Sequence, residues 1–385
     1  MSDQLTYAMI GGGIGASIGQ VHRRAIALDG RAKLVAGALS STPERSLKSA
    51  EELGLPPERS YSDYQDLIKH ESAREDRVDF ISIVTPNDTH YPIAKMALKH
   101  GFHVVLDKPA THTTEQALEL QDLAKSKGLL CCVTYNYTGY PMIRQARAMI
   151  QAGKLGTIRK VFLEYHQGWL ASDLESGGHK QASWRVDPKK AGLGGALGDI
   201  GTHAENLISF LTGLTMKSLF ANLHTFVPNR SLDDDVSVMI NYKGGAHGIL
   251  TASQICIGEN NGISLRVYGD KGGLRWFHES PNDLCVTMLN ENPVTYTRAG
   301  LDLHNDAQIS SHTPPGHAEG YLEAFSNIYR GAIDKILAMN SGGEASDSPL
   351  ATLIPTIRDG AQGVRFVEKC VESAQAGTQI DWDSI

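Results

Sequence analysis

The sequence predicts an α/β chain in two parts: a doubly wound parallel sheet first, then an α+β domain on an open, mostly antiparallel sheet. Three observations carry this. Short apolar runs alternate with helical patterns over the first 150 or so residues, the signature of βαβ crossovers. A glycine-rich stretch, Gly11 to Gly19, follows the first of those runs, where a doubly wound sheet brings its backbone close to a ligand. After Met149–Gly156 the texture changes to two-residue alternation with paired glycines between runs, which favours antiparallel hairpins. At 385 residues the chain exceeds one ordinary core, so domains at 1–150 and 151–385 are expected.

The elements follow in order. Strands are expected at Thr6–Ile10, Lys33–Leu39, Val78–Val84, His103–Leu106 and Leu129–Thr134. Each is short, apolar and often β-branched, as strands buried on both faces should be. Helices are expected at Gln20–Leu28, Ile93–His100 and Thr114–Lys127. Gly101 and Gly128 close the last two, where a left-handed residue is wanted. In the second part Ile158–Tyr165, Val236–Tyr242 and Leu265–Tyr268 read as strands, with Gly244-Gly245 and Gly272-Gly273 as turns. Tyr321–Leu337 and Thr356–Ser373 read as helices that could pack back on the first domain.

Composition excludes several classes. Hydrophobic residues make up 41% and charged ones 21%, as in soluble globular proteins. A net charge of -7 offers no footprint for nucleic acid or anionic membrane. No apolar run approaches the roughly 18–20 residues that span a bilayer. The first ten residues lack a basic flank followed by an apolar stretch, so no signal peptide is read and a cytoplasmic location is expected. The five cysteines (Cys131, Cys132, Cys256, Cys285, Cys370) are odd in number and show no C-x-x-C spacing. Free buried thiols fit better than disulfides or zinc. Asp233-Asp234-Asp235 could suggest a metal but reads as a solvated loop before a strand, and no metal site is expected.

A glycine-rich turn after a first strand lets the backbone approach a pyrophosphate, and the next helix N-terminus stabilises its charge. Two registers are open in MIGGGIGASIGQVH, residues 9–22. Gly11, Gly13 and Ala16 satisfy G-x-G-x-x-G/A, while Gly19 followed by His22 suggests another. Where an Asp or Glu would bind the ribose of NAD, the second strand ends in Ser40-Ser41, with Arg45 just beyond. No carboxylate there repels a 2′-phosphate, and Ser40, Ser41 and Arg45 could hydrogen-bond one. Thr42 and Pro43 also read as the N-cap and first residue of a helix; both can hold. The expected cofactor is NAD or NADP, with these residues leaning to NADP.

Three further stretches make the pattern specific: Thr85-Pro86-Asn87-Asp88-Thr89-His90, Asp107-Lys108-Pro109, and Gly192 through Glu205. With the glycine turn they resemble the glucose–fructose oxidoreductase / inositol dehydrogenase / MocA (Gfo/Idh/MocA) family, in its order and spacing, over nearly the whole chain. The resemblance implies a Rossmann domain paired with an open-sheet substrate domain, NAD or NADP as cofactor, and a sugar or polyol substrate. It also implies a homodimer or homotetramer formed through the open sheets.

In such proteins a strand ends in Glu-Lys-Pro, with the lysine between nicotinamide and substrate. The match here is Asp107-Lys108-Pro109, with aspartate replacing glutamate. A lysine at a strand's carboxyl end lies on the ligand-binding edge of an open α/β sheet, and its ammonium favours a developing alkoxide. The Gly192–His203 segment is similar to the family's glycine-rich stretch ending in Asp-x-x-x-His. Asp199, His203 and Asn206 would share one stripe of a helix, with Ile200, Ala204, Leu207 and Leu211 on an apolar stripe and Gly213 as its stop. The resemblance makes His203 the general base, an imidazole titrating near neutral pH. Lys108 polarises the same oxygen. Asp199 orients the substrate or pairs with Lys108.

Thr85, Pro86, Asn87, His90 and Asn136 are then expected on the nicotinamide side, with Asp107 supporting. Many relatives carry an arginine shortly after that asparagine, whereas this chain continues Tyr137-Thr138-Gly139, which reshapes the expected substrate pocket around Tyr137. Trp169, Trp184, Arg185 and His317 are candidate substrate contacts, since aromatics and arginine suit a hydroxyl-rich ring. The family's Gly-x-Gly-x-x-Gly-x-x-His favours the second glycine register. Five residues, Ile14 to Ile18, then replace the usual two, a three-residue insertion. Gly11 and Gly13 would make the tight turn, and amides from Ala16 to Gly19, Ser17 and Ile18 among them, would lie nearest the pyrophosphate. The expected reaction is hydride transfer at a secondary alcohol of a cyclic polyol or sugar (an inositol, aldose or glycoside). Reduction of a keto-, deoxy- or anhydro-sugar or of a dihydrodiol is one alternative. A non-catalytic NAD(P)-binding regulator is another.

Overall fold

The computed structural model describes residues 4–342 and 348–382. The chain forms two compact units: Met1–Gly139 with Tyr321–Ala361, and Tyr140–Gly320 with Gln362–Ile385. No described helix is long and apolar enough to cross a membrane.

In the first unit, β1 (Leu5–Gly11), β2 (Ala32–Ala38), β3 (Phe80–Val84), β4 (His103–Leu106) and β5 (Cys131–Val133) form one sheet. Its order is β2-β1-β3-β4-β5 and every pair is parallel. Alternate side chains divide between two cores. Ile81 and Ile83 join Val104, Leu106 and Val133 in one. Phe80 and Val84 join Met9, Val105 and Cys132 in the other. Both faces are therefore covered, which is why the strands read as unbroken apolar runs. Helix Tyr321–Asn340 adds Phe325, Ile328, Tyr329, Ile333 and Ile336 to the second core, a three-and-four spacing that turns one stripe inward. Each such large side chain contributes roughly 1.5–3 kcal/mol by burial. Helix Thr114–Lys127 is capped by the Thr113 side chain and ends at left-handed Gly128.

The second unit is built on nine strands: β6 (Ile158–His166), β7 (Met216–His224), β8 (Asp235–Tyr242), β9 (His247–Ser253), β10 (Gly262–Gly269), β11 (Gly272–Phe277), β12 (Asp283–Met288), β13 (Val294–Thr297) and β14 (Ile380–Asp381). Their order is β13-β12-β11-β10-β6-β9-β8-β7-β14. Only β6 and β9 pair in parallel; the rest are antiparallel. Along β6, Val161, Leu163 and Tyr165 are buried while their neighbours are not, the alternation of a sheet covered on one face. Gly244 and Gly245 make the β8–β9 turn at φ 89 and 93. Gly272 and Gly273 do not make the next one, contrary to expectation. The Asp270 carboxylate accepts the Thr157 N–H and fixes that turn one step earlier, so both glycines open β11. Gly273 stands opposite Tyr268, whose ring would lie 2.8 Å from a Cβ there.

Candidate active site

In the first unit the glycine loop is shaped by space that side chains would fill. Gly11, Gly12 and Gly15 have φ of 82, 73 and 76. A Cβ on Gly11 would lie 2.8 Å from Thr85 Cγ2, and one on Gly13 2.5 Å from the Leu39 carbonyl oxygen. A Cβ on Gly19 would run into the Gly12 backbone. The tight turn therefore falls on Gly11 and Gly12 rather than Gly11 and Gly13. Gly13 is needed for close approach, its N–H donating to the Leu39 carbonyl at 2.9 Å. Helix Ser17–Ala27 starts at Ser17, with Ala16 at its N-cap and no side-chain cap. Gly19 thus lies in the first turn and His22 in the second. Uncapped first-turn amides beside a cradle of glycines fit a dinucleotide pyrophosphate.

Two arginines hold this loop by its carbonyls. Arg23 Nη1 donates to Gly12 O at 2.7 Å and Arg45 Nη2 to Ile14 O at 2.5 Å. Ser40 lies beside Thr42, their hydroxyl oxygens 3.4 Å apart, and the Thr42 side chain makes no cap bond to helix Pro43–Glu52. Ser41 is exposed nearby.

Asn87 sits in a short 3-10 turn, Asn87–Thr89, just after Thr85-Pro86. His90 is spent on backbone: its Nδ1 is 2.8 Å from Pro109 O and its Nε2 2.9 Å from Thr85 O. The ring thus braces the turn after β3 against the turn after β4. Burial holds its pKa below the usual range, against the pull of both carbonyls. Asp107 Oδ1 accepts the Lys108 N–H and the Thr134 hydroxyl, each at 2.9 Å, so the shorter carboxylate supports its own loop. Asp107 Oδ2 lies 3.9 Å from His22 Nε2. His22 Nδ1 is 2.6 Å from the Tyr329 hydroxyl, which is 2.9 Å from Ser82 Oγ. Burial lowers His22 to about 4, so the ring is neutral at neutral pH. Asn136 and Tyr137 are buried in the 3-10 turn Asn136–Gly139.

In the second unit Asp199 anchors a side-chain cluster. Arg185 Nε and Gln254 Nε2 each donate to Asp199 Oδ2 at 2.9 Å. The Arg185 guanidinium lies over the Trp184 ring at 4.3 Å and the Trp169 ring at 5.6 Å. Trp169, Trp184, Arg185 and Asp199 are therefore brought together. Asp199 stands on a π-helical turn, Leu197–Gly201, that leads into helix Thr202–Thr212; a regular α-helix had been expected there. His203 is the second residue of that helix, buried and beside the Tyr165 ring at 6.3 Å. Ile200, Ala204, Leu207 and Leu211 are buried with it. His317 is exposed on a loop whose carbonyls at Thr313, Pro314 and His317 accept from Arg298.

The aspartate triplet is not a solvated loop. Asp233 and Asp234 are 8% and 2% exposed. Asp233 accepts the Gly195 and Leu197 N–H groups at 2.8 and 2.7 Å, and Asp234 those of Phe226 and Val227. Buried carboxylates need such donors, and those of Asp233 hold the entry to the π-turn. Burial pushes Asp233 up to about 6, against its amide donors. No group of three or more His, Cys, Asp or Glu is placed to hold a metal ion among the described residues. The residues that sequence reasoning missed are Gln167, Gln254 and Tyr329, which lie outside any spacing motif.

Residues 5–135 match the family described as "Oxidoreductase family, NAD-binding Rossmann fold", and residues 143–275 match the GFO/IDH/MocA C-terminal domain. An uncharacterised oxidoreductase of Bacillus subtilis, YfiI, is 35% identical over 98% of this chain and 96% of its own length. Levoglucosan dehydrogenase of Pseudarthrobacter phenanthrenivorans is 27% identical over 98% of both chains. The crystal structure of an inositol dehydrogenase homologue from Azotobacter vinelandii with NAD+ superposes at a TM-score of 0.94 with 36% identity, covering 98% of this chain and 97% of that one. Its complex with NADH and myo-inositol superposes at 0.91 with 35% identity, covering 98% of each.

Proposed function

We propose, from the premise that this chain belongs to the GFO/IDH/MocA family of NAD-binding oxidoreductases, that it transfers hydride at a secondary alcohol of a cyclic polyol or sugar. The observation that carries the reading is the Asp199 cluster. A carboxylate fixed by a guanidinium and an amide, with indole faces beside it, suits a neutral ring bearing several hydroxyls. Likeness to an inositol dehydrogenase homologue with myo-inositol bound and to levoglucosan dehydrogenase supports it.

The glycine cradle and the amides of Ser17, Ile18 and Gly19 would hold the pyrophosphate, while Ser40, Ser41 and Arg45 would meet the adenosine ribose or its 2′-phosphate. Nicotinamide, when bound, supplies the hydride acceptor. Lys108 donates to the reacting oxygen and favours its alkoxide character. His203 takes the hydroxyl proton. Asp199 accepts from a neighbouring hydroxyl and orients the ring.

NAD+ and NADP+ reduction with myo-inositol, glucose and levoglucosan tests the reading, with NADH oxidation by keto-sugars as the reverse arm. Lys108→Ala and His203→Ala should each lower turnover by about 10²–10⁴ and leave dinucleotide affinity largely intact. Turnover like the wild type in both would sink the assignment. Binding of NADH without turnover of any substrate would favour a regulator.

We also propose that copies pair through the open face of the second sheet. Phe220, Met239, Ile249 and Phe162 stand side by side across four strands, and Met239 is 57% exposed. Met239→Glu should shift the size-exclusion profile toward the monomer; an unmoved profile refutes this face.

A further inference from the structure

Two glutamines lie behind Asp199, and the roles of their amide ends are forced. A carboxylate only accepts and an indole N–H only donates. Gln254 must therefore turn its NH2 toward Asp199 Oδ2, 2.9 Å away. The same NH2 lies 3.3 Å from Gln167 Oε1, which also accepts the Trp169 indole N–H at 3.0 Å. Gln167 in turn donates its NH2 to Asn261 Oδ1 at 2.8 Å. Amide ends are ordinarily interchangeable in a structure; here the indole fixes one end of the chain and the carboxylate the other.

The bases of both glutamines are held by backbone bonds on either side. Gln254 follows β9 and is 2% exposed, with its N–H donating to Asp234 O and its carbonyl accepting from Leu170 N. Gln167 follows β6, the parallel partner of β9, with its N–H donating to Ser253 O and its carbonyl accepting from Cys256 N. Groups carried on paired strand ends keep a side chain within a narrow range.

We propose that Gln254 and Gln167 are positioning residues of the reaction, holding Asp199 in one orientation as a carboxylate. This rests on the reading of Asp199 as a substrate-orienting group. Two donors converging on one oxygen limit its rotation and favour the ionised form. A neutral amide does this without placing a second positive charge beside Arg185. Gln167 acts one step back, keeping the correct end of Gln254 forward.

The test measures NAD+ reduction with myo-inositol and with levoglucosan against pH for the wild type, Asp199→Asn, Gln254→Met and Gln254→Glu. Gln254→Met should lower kcat/KM by about tenfold or more, since small misplacements in an active site are costly. Gln254→Glu keeps the side chain's length and size but sets carboxylate against carboxylate. The acid limb of its pH profile should move up by about one pH unit, which a merely structural defect would not do. Near-wild-type kcat/KM and an unmoved acid limb in both Gln254 variants, with Asp199→Asn impaired, would overturn the proposal and leave Asp199 its role. Full activity in Asp199→Asn would overturn that role and the proposal with it. A second measurement needs no substrate: in protein labelled with 13C at aspartate carboxyls, the Asp199 signal is the one missing from Asp199→Asn. Its titration midpoint should rise in Gln254→Glu; an unchanged midpoint overturns the proposal.

Discussion

The glycine loop of the first unit and the Asp199 cluster of the second are held by opposite means. The loop depends on atoms that are missing: Gly11, Gly12, Gly13 and Gly19 leave room that any Cβ would occupy. What holds it comes from outside, through Arg23 and Arg45 on its carbonyls. The cluster depends on atoms that are present. Asp199 is reached by a side chain from helix Lys180–Arg185 and another from the end of β9. A site made of empty space fails when atoms are added. A site made of convergent side-chain bonds fails when they are removed.

Adding an atom should give the largest effect. In Gly19→Ala the new methyl meets the Gly12 Cα and carbonyl, which are backbone and cannot swing aside. Overpacking of this kind costs about 1–3 kcal/mol, and the cradle loses its shape as well. Affinity for NADH, by calorimetric titration, should fall about a hundredfold or more, together with a lower Tm. Binding like the wild type would break the comparison, because the loop would then tolerate what its geometry forbids.

Acid offers the next lever, on the support beneath Lys108. Burial lowers His22 from 6.5 to about 4, so the unfolded chain binds this proton more readily than the folded one. The stability this neutral ring contributes is complete above about pH 6.5 and is lost as pH falls toward 4. A displacement of that size is worth roughly 3 kcal/mol. His22→Gln should flatten the fall of Tm with acid. His90 and His103, also lowered by burial, will keep part of the slope. An unchanged slope would mean that His22 is not protonated as the protein unfolds.

Removing bonds should be felt in the second unit. Arg185 joins Asp199 to the Gln181 side chain through separate nitrogens while stacking on Trp184. A lysine offers neither the fork nor the plane. Arg185→Lys should lower kcat/KM by about tenfold with NADH affinity retained, the reverse of the Gly19→Ala pattern.

The same contrast explains what could be read in advance. Glycines stand in the sequence where backbone needs space, and the strand before them is an unbroken apolar run, so loop and sheet were both legible. Even there Gly13 looked like a turn residue, because a requirement for space and one for positive φ are written with the same letter. The Asp-x-x-x-His spacing of Asp199 and His203 was visible too. Its π-turn was not, since that depends on Asp233, which lies 36 residues from Leu197 and takes its N–H. Gln167 and Gln254 are 87 apart and were silent. A glutamine acquires a role only from the donor or acceptor that folding sets against it.

Arg45 sets the smallest effect, and it tests whether the loop's outside support also reads the nucleotide. Its Nη2 is engaged by Ile14 O, yet a guanidinium carries five donors, and Arg45 lies in the first turn of the helix that follows Ser40 and Ser41. If it does both jobs, Arg45→Ala loosens the loop for either dinucleotide and removes a charged partner for a 2′-phosphate alone. The KM for NADP+ should then rise about five- to tenfold, in the range of one ordinary hydrogen bond made in contact with solvent, and the KM for NAD+ by less. Equal rises would restrict Arg45 to bracing Ile14 and remove the lean toward NADP. A rise for NADP+ alone would mean that the loop stands without it, leaving Arg23 and the packing of Gly12 on Gly19 as its support.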